Sequence, residues 1–159
     1  MITEQDREYL QQAIALARRG VEEGRGGPFG CVIVREGEVV GKGNNGVTST
    51  NDPTAHAEIV AIRDACSRLG NFQLTGCVVY ASCEPCPMCL GAIYWARPSR
   101  VVYAATRRQA AAAGFDDEFI YREIEVPEGE RKIVFELGWD KGAEDVFELW
   151  RERGDRSLY

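Results

Sequence analysis

Thirty residues separate one imidazole from the first of two thiols in this chain, and bringing those groups together constrains the fold more than any other feature. The sequence of 159 residues holds a single histidine, in His56-Ala57-Glu58, and Pro85-Cys86-Pro87-Met88-Cys89 follows. One imidazole and two thiolates are the side chains zinc prefers. For His56, Cys86 and Cys89 to meet on one ion, the chain must fold back between them. Three protein ligands leave a tetrahedral zinc one position for water, whose pKa then falls to roughly 7. Cys83, three residues before Cys86, could close the shell instead and make a structural zinc module. Glu58 argues for the open site, because a carboxylate beside the ligand histidine has a task only where a water must be deprotonated.

Local patterns place these residues. Thr3 followed by Asp6 reads as a capping pair, and Leu10, Ala13, Ile14, Ala17 and Val21 recur at helical spacing. That helix should end in the glycine-rich stretch 24–27. Residues 29–34 and 38–40 read as strands joined by a hairpin at Arg35-Glu36-Gly37. Asp52-Pro53-Thr54 announces a second helix that closes at Gly70, with Ile59, Val60, Ile62 and Ala65 facing a core. Residues 77–81 and 101–103 are β-rich. Between them, Pro85 and Pro87 fit only at the start of a third helix that runs to 95 or 96. Val146, Phe147, Leu149 and Trp150 form an apolar stripe on a last helix. Strands alternating with helices predict a mixed, partly parallel sheet between helices, an α/β fold of three layers, α/β/α.

Both halves of the metal motif thus fall at helix N-termini, where the macrodipole favours thiolate over thiol. One strain follows. His56 and Glu58 are two apart, and such residues point away from each other on a helix. The two can serve one site if His56 lies in an irregular first turn and Glu58 reaches back toward the helix start.

Bulk properties narrow the class. At 159 residues the chain suits one domain, 1–159. Its N-terminus lacks the basic and apolar regions of a signal peptide, so the six cysteines read as reduced thiols of a cytoplasmic protein. No apolar run approaches the roughly 18 residues of a membrane span. A net charge of −6 argues against a nucleic-acid partner, which needs clustered Lys and Arg. Arg97, Arg100, Arg107 and Arg108 are the nearest approach to such a cluster.

Further candidates face the site chemistry. Asn45, in Gly43-Asn44-Asn45-Gly46, can donate to and accept from a base edge, or simply form a turn. Phe29 and Trp95 can wall a planar base, or pack in a core. Asp116-Asp117 sits among Gly114-Phe115 and Phe119-Ile120-Tyr121, where a carboxylate can recognise N–H donors or carry a proton; as helix caps the two would need no such role.

The pattern His-x-Glu followed by Pro-Cys-x-x-Cys is that of the zinc deaminases. Together with Gly27-Pro28-Phe29-Gly30, Asn51-Asp52-Pro53-Thr54-Ala55, Leu90-Gly91-Ala92-Ile93-Tyr94-Trp95-Ala96 and Gly114-Phe115-Asp116-Asp117, it makes the chain resemble the bacterial guanine deaminases of the cytidine deaminase superfamily. The resemblance implies zinc on His56, Cys86 and Cys89, hydroxide at the metal attacking an amidine carbon, and Glu58 as proton shuttle. It favours Asp117 over Asp116 as a second catalytic and substrate-binding carboxylate, and Asn45 as a substrate contact. Ala57 and Glu84 fall where family members present a backbone N–H and a carbonyl or carboxylate to the reacting carbon. It also implies a homodimer that exchanges C-terminal segments, about 140–159, and sets Tyr159 over the partner's site. The reaction implied is guanine to xanthine plus ammonia. Cytosine, isocytosine or an aminotriazine present a similar carbon, and transfer-RNA adenosine is the substrate of other superfamily members.

Overall fold

In a computed structural model of the chain, which describes residues 1–115 and 117–159, the first helix starts where Thr3 and Asp6 cap each other. The Thr3 hydroxyl accepts from the Asp6 N–H at 3.1 Å and the Asp6 carboxylate accepts from the Thr3 N–H at 2.8 Å. This reciprocal cap opens α1 (Glu4–Glu22), which stops just before Gly24 at φ 65°. A tight turn with both Glu36 and Gly37 at positive φ then joins β1 (Gly30–Arg35) to β2 (Glu38–Asn44). A short α2 (Val47–Thr50) leads to α3 (Ala57–Leu69), which Gly70 ends in the left-handed conformation. β3 (Cys77–Cys83), α4 (Pro87–Ala96) and β4 (Arg100–Ala105) follow as a strand–helix–strand unit. α5 (Arg107–Ala112) and α6 (Glu118–Glu125) come next.

The four strands form one mixed sheet in the order β2-β1-β3-β4. β1 runs antiparallel to both neighbours, while β3 and β4 are parallel, as their α4 crossover requires. Period-2 alternation splits the core by face. Cys31, Ile33, Cys77 and Val79 pack with Ala57, Ala61 and Ala65 of α3 and Ala96 of α4. Val32, Val34, Tyr80 and Val102 pack with Tyr9 and Ala13 of α1. The result is the expected helix–sheet–helix layering.

Three expectations need correction. The second strand runs to Asn44, not to 40, and α3 starts at Ala57 rather than at 52–54. Asp52 instead closes a turn, accepting from both the N–H and the hydroxyl of Thr54. Ala65 is buried and the half-buried Ile62 packs against the core as expected, but the rest of the buried stripe is Ala57 and Ala61, with Ile59 and Val60 only half-buried. One cause links the first and third findings. α3 lies so close to β2 that a Cβ on Gly43 would collide with the Ala57 carbonyl, so glycine is needed in the strand and alanine on the helix. Those small residues erase the hydrophobic periodicity that marks a strand or a helix in sequence.

A buried carboxylate ties α1 to the far side of the sheet. Asp6 is 3% exposed, and accepts from the Tyr80 hydroxyl at 2.7 Å and from both terminal nitrogens of Arg100 at 3.0 Å. The Thr3 N–H, then Tyr80 and Arg100, hold the Asp6 carboxyl well below the usual carboxylate range.

The chain divides into two compact units, Met1–Phe119 and Ile120–Tyr159. The second holds the rest of α6, a 3-10 turn (Glu128–Glu130) and α7 (Lys141–Glu152), which Asp140 caps by accepting from the Gly142 N–H at 2.7 Å. None of its residues is buried; Val146, Phe147 and Leu149 of α7 are each more than 60% exposed. Among the described residues no helix is long and apolar enough to cross a membrane.

Asp6→Asn should lower the thermal unfolding midpoint far more than Glu4→Gln, which removes only an exposed pair with Arg7 at 3.8 Å. Because the folded carboxyl titrates below its unfolded value, its contribution is complete above the ordinary carboxylate pKa. It should fade only as pH falls through the depressed folded value. Melting curves of both variants between neutral and strongly acidic pH measure this.

Candidate active site

Two helices begin at the same place. His56 is the N-cap of α3, in extended conformation at φ −70° and ψ 154°, and Cys86 is the N-cap of α4 with Pro87 at the first helical position. His56 therefore stands outside the helix, and Glu58 is the second residue within it. From α4, Cys86 and the fully buried Cys89 bring their sulfurs to 3.4 and 3.5 Å from His56 Nδ1. All three ligand atoms lie within 4.8 Å of one another.

That triangle fits zinc. Bonds of about 2.3 Å to sulfur and about 2.0 Å to nitrogen at tetrahedral angles put S and N roughly 3.5 Å apart. Among the described residues, His56, Cys86 and Cys89 are the group that meets a metal-site geometry. The electrostatics agree. A hydrogen bond from the Cys89 thiol, then one from His56, pulls the Cys86 thiol down to about 4 against the cost of burial. Cys89 is pushed up because it donates to Cys86 and is buried, and His56 is raised by its bond to Cys86. A cation that displaces the shared protons would satisfy all three groups at once.

Glu58 is 7% exposed. Burial, its largest influence, raises its carboxyl above the ordinary range. Its own backbone N–H and the Cys89 thiol bond the carboxylate and oppose that shift. As the second residue of α3, Glu58 stands at the helix start that His56 caps.

Cys83 turns elsewhere. Its sulfur contacts the Thr106 carbonyl at 3.7 Å, and burial raises its thiol. The closed four-ligand shell therefore finds no support in this arrangement.

Asn45 is 6% exposed, with Oδ1 accepting from the N–H groups of Gly27 at 3.1 Å and Val47 at 3.2 Å. With that oxygen bound twice, the amide NH2 is what Asn45 has left to offer a ligand. Gly26 makes this possible, since a Cβ there would lie 2.5 Å from the Asn45 Oδ1. Phe29 meets the edge of Phe115 at 4.9 Å and 85°. Asp117 lies near enough for its charge to raise both His56 and Cys83. Ala57, fully buried, is the first residue of α3, where backbone N–H groups lack partners within the helix. Glu84 accepts from the Arg107 N–H at 3.0 Å through one carboxylate oxygen, Oε2.

Trp95 is 61% exposed near the far end of α4, about 13 Å along the axis from Cys86. Tyr159 belongs to the second unit, and Asp116 lies outside the described residues. Sequence reasoning passed over Phe115 as a partner for Phe29 and Gly26 as the space beside Asn45. The Gly26-Gly27 doublet was a signal for close approach, but not for what approaches.

Comparison with known proteins agrees with the geometry. Residues 3–105 match the family model of the cytidine and deoxycytidylate deaminase zinc-binding region. The guanine deaminase of Bacillus subtilis is 54% identical over 151 residues, covering 95% of this chain and 97% of that protein. The X-ray structure of guanine deaminase from the same organism superposes with a TM-score of 0.94 at 53% identity, over 96% of this chain and 98% of that one. A tRNA-specific adenosine deaminase of Aquifex aeolicus is 43% identical over 97 residues, 61% of this chain and 64% of that protein. Zinc ligands at two helix starts, a buried glutamate between them and these likenesses lead to one conclusion: the chain belongs to the zinc-binding cytidine and deoxycytidylate deaminase family, in the part of it that holds the bacterial guanine deaminases.

Proposed function

We propose that the protein hydrolyses guanine at C2, converting guanine and water to xanthine and ammonia. The observation that carries this reading is the buried Glu58 carboxylate beside the His56, Cys86 and Cys89 cluster. The likeness to guanine deaminase along nearly the whole chain selects the base. Zinc, when held by those three residues, supplies a Lewis acid that brings the pKa of water to about 7.

The remaining work falls to side chains and backbone. Glu58, its carboxyl raised by burial, is suited to take a proton from water, pass it to a ring nitrogen and return one to the departing amine. Asn45 donates its amide NH2 to an acceptor on the base edge. The N–H of Ala57, at the positive end of α3, faces the oxygen that becomes the new carbonyl. Phe29 forms the apolar wall, supported by Phe115. Asp117 accepts from an N–H donor of the purine and assists departure of ammonia. Trp95 serves as an outer wall.

The same reading includes a homodimer and a reducing cytoplasm. Six free thiols, two of them metal ligands, support a reducing compartment. A forty-residue C-terminal unit that buries none of its residues, with an apolar stripe on α7, supports pairing with a second copy. Exchange of that segment sets Tyr159 over the partner's site.

Glu58→Gln should keep stoichiometric zinc while kcat drops by about 10²- to 10⁴-fold; turnover near wild type would defeat the proton-shuttle role. Ammonia release from guanine, cytosine, isocytosine, an aminotriazine, guanosine and transfer RNA should be greatest with guanine, and a preference for any other substrate overturns the assignment. Zinc analysis should find metal lost in Cys86→Ala and Cys89→Ala but kept in Cys83→Ala. Deleting Leu158 and Tyr159 should raise KM for guanine, and the segment-exchange reading fails if both kinetic constants stay unchanged.

A further inference from the structure

Residues 103–115 contain no buried side chain, yet they lead from the end of β4 to Phe115 and Asp117. Something other than a core must hold this stretch in place. Three consecutive residues at its start are held by the two residues that end β3 and lead to the metal ligand Cys86. The Glu84 N–H donates to the Ala105 carbonyl at 2.9 Å. The Cys83 thiol meets the Thr106 carbonyl at 3.7 Å. The Glu84 carboxylate accepts from the Arg107 N–H at 3.0 Å. The last of these satisfies a donor that the six-residue α5 cannot bond internally. At the other end, Phe115 meets Phe29 edge-on with ring centroids 4.9 Å apart, and Asp117 follows two residues later.

From this arrangement we infer that Glu84, assisted by Cys83, is a positioning residue whose carboxylate latches the 105–107 turn and so holds Phe115 and Asp117 over the base site. The inference rests on the reading of Phe29 and Asp117 as substrate-facing groups. It assigns the Glu84 carboxylate to the chain's own backbone and away from the purine. The latch also links ligand and substrate sides, since Glu84 is two residues from Cys86. Loosening it lowers the fraction of molecules with the recognition segment in place, and apparent affinity falls by that fraction.

Kinetics of four variants, each checked for zinc content and melting temperature, test the latch. Glu84→Ala removes the acceptor and should raise KM for guanine about tenfold, the low end for a hydrogen bond to a charged group, with a smaller change in kcat. Glu84→Gln keeps an oxygen for the Arg107 N–H and should restore KM to within about twofold. Arg107→Pro deletes the donor N–H together with the arginine side chain at the first helical position, where proline is tolerated and Thr106 is already extended, so KM should rise at least as in Glu84→Ala. Arg107→Ala removes the same side chain but keeps the N–H, so its KM should rise clearly less than that of Arg107→Pro. In the double variant Glu84→Ala with Arg107→Pro the effects should not add, because one bond is removed twice.

If Glu84→Gln is as impaired as Glu84→Ala, the charge itself meets the substrate and the latch is wrong. The latch is equally wrong if Arg107→Pro and Arg107→Ala behave alike. Should Glu84→Ala fail to fold, the Arg107 pair decides the matter alone. Asp117→Ala separates this inference from the reading beneath it. Unchanged kinetics in Asp117→Ala sink the substrate-facing role of that segment, whereas impaired Asp117→Ala beside unimpaired Glu84→Ala and Arg107→Pro sinks only the latch.

Discussion

Everything in the catalytic unit turns on the meeting of two helix starts at one end of the sheet. His56 and Cys86 are both N-caps, and neither helix receives a side-chain hydrogen bond from its cap. The capping positions are given to candidate metal ligands instead of to Ser, Thr or Asp, so each helix forgoes a stabilising cap of roughly 1 kcal/mol. In exchange, two positive helix ends converge on the cysteine pair, whose thiolate forms they favour. The parallel pairing of β3 with β4 fixes one of these helices, because α4 must cross over the sheet between them. Close packing of α3 on β2 fixes the other.

Small residues make that second contact possible. Ala57, Ala61 and Ala65 have no appreciable exposure, and Gly41 and Gly43 face them from β2. Larger side chains on either surface would lift α3 from the sheet and carry His56 and Glu58 with it. Packing and chemistry therefore share one constraint. Asp6 does comparable work on the opposite face, where it joins α1, β3 and β4 through Tyr80 and Arg100. The sheet is thus braced on the side away from the metal residues, and the active-site side can be built from loops and helix ends.

Much of this was legible in the residues. The Thr3 and Asp6 cap, the positive-φ hairpin at Glu36 and Gly37, the proline-led start of α4 and the mixed sheet follow from local rules that need no knowledge of neighbours. The awkward two-residue spacing of His56 and Glu58 pointed to an irregular first turn around the histidine, and the structure moves His56 one step further out, to the N-cap. The full length of β2 and the alanine face of α3 were hidden because they answer to each other across the fold. Neither segment carries a periodic apolar signal. Phe115 was equally hidden. Its contact with Phe29 joins residues 86 apart in sequence, and no local pattern marks that pairing.

By itself, the sequence determined the three residues of the candidate metal site, the carboxylate that accompanies them and the class of chemistry. Those depend on residue identity and on spacing within short motifs, which the chain carries wherever it goes. The tertiary structure decided what each remaining polar group is free to do. It bound Asn45 Oδ1 to two backbone donors and left the amide NH2, turned Cys83 to the Thr106 carbonyl, and committed the Glu84 carboxylate to the Arg107 N–H. Such assignments lie beyond any motif, because a hydrogen-bonding group is defined by the partner it already has, and partners distant in sequence meet only after folding.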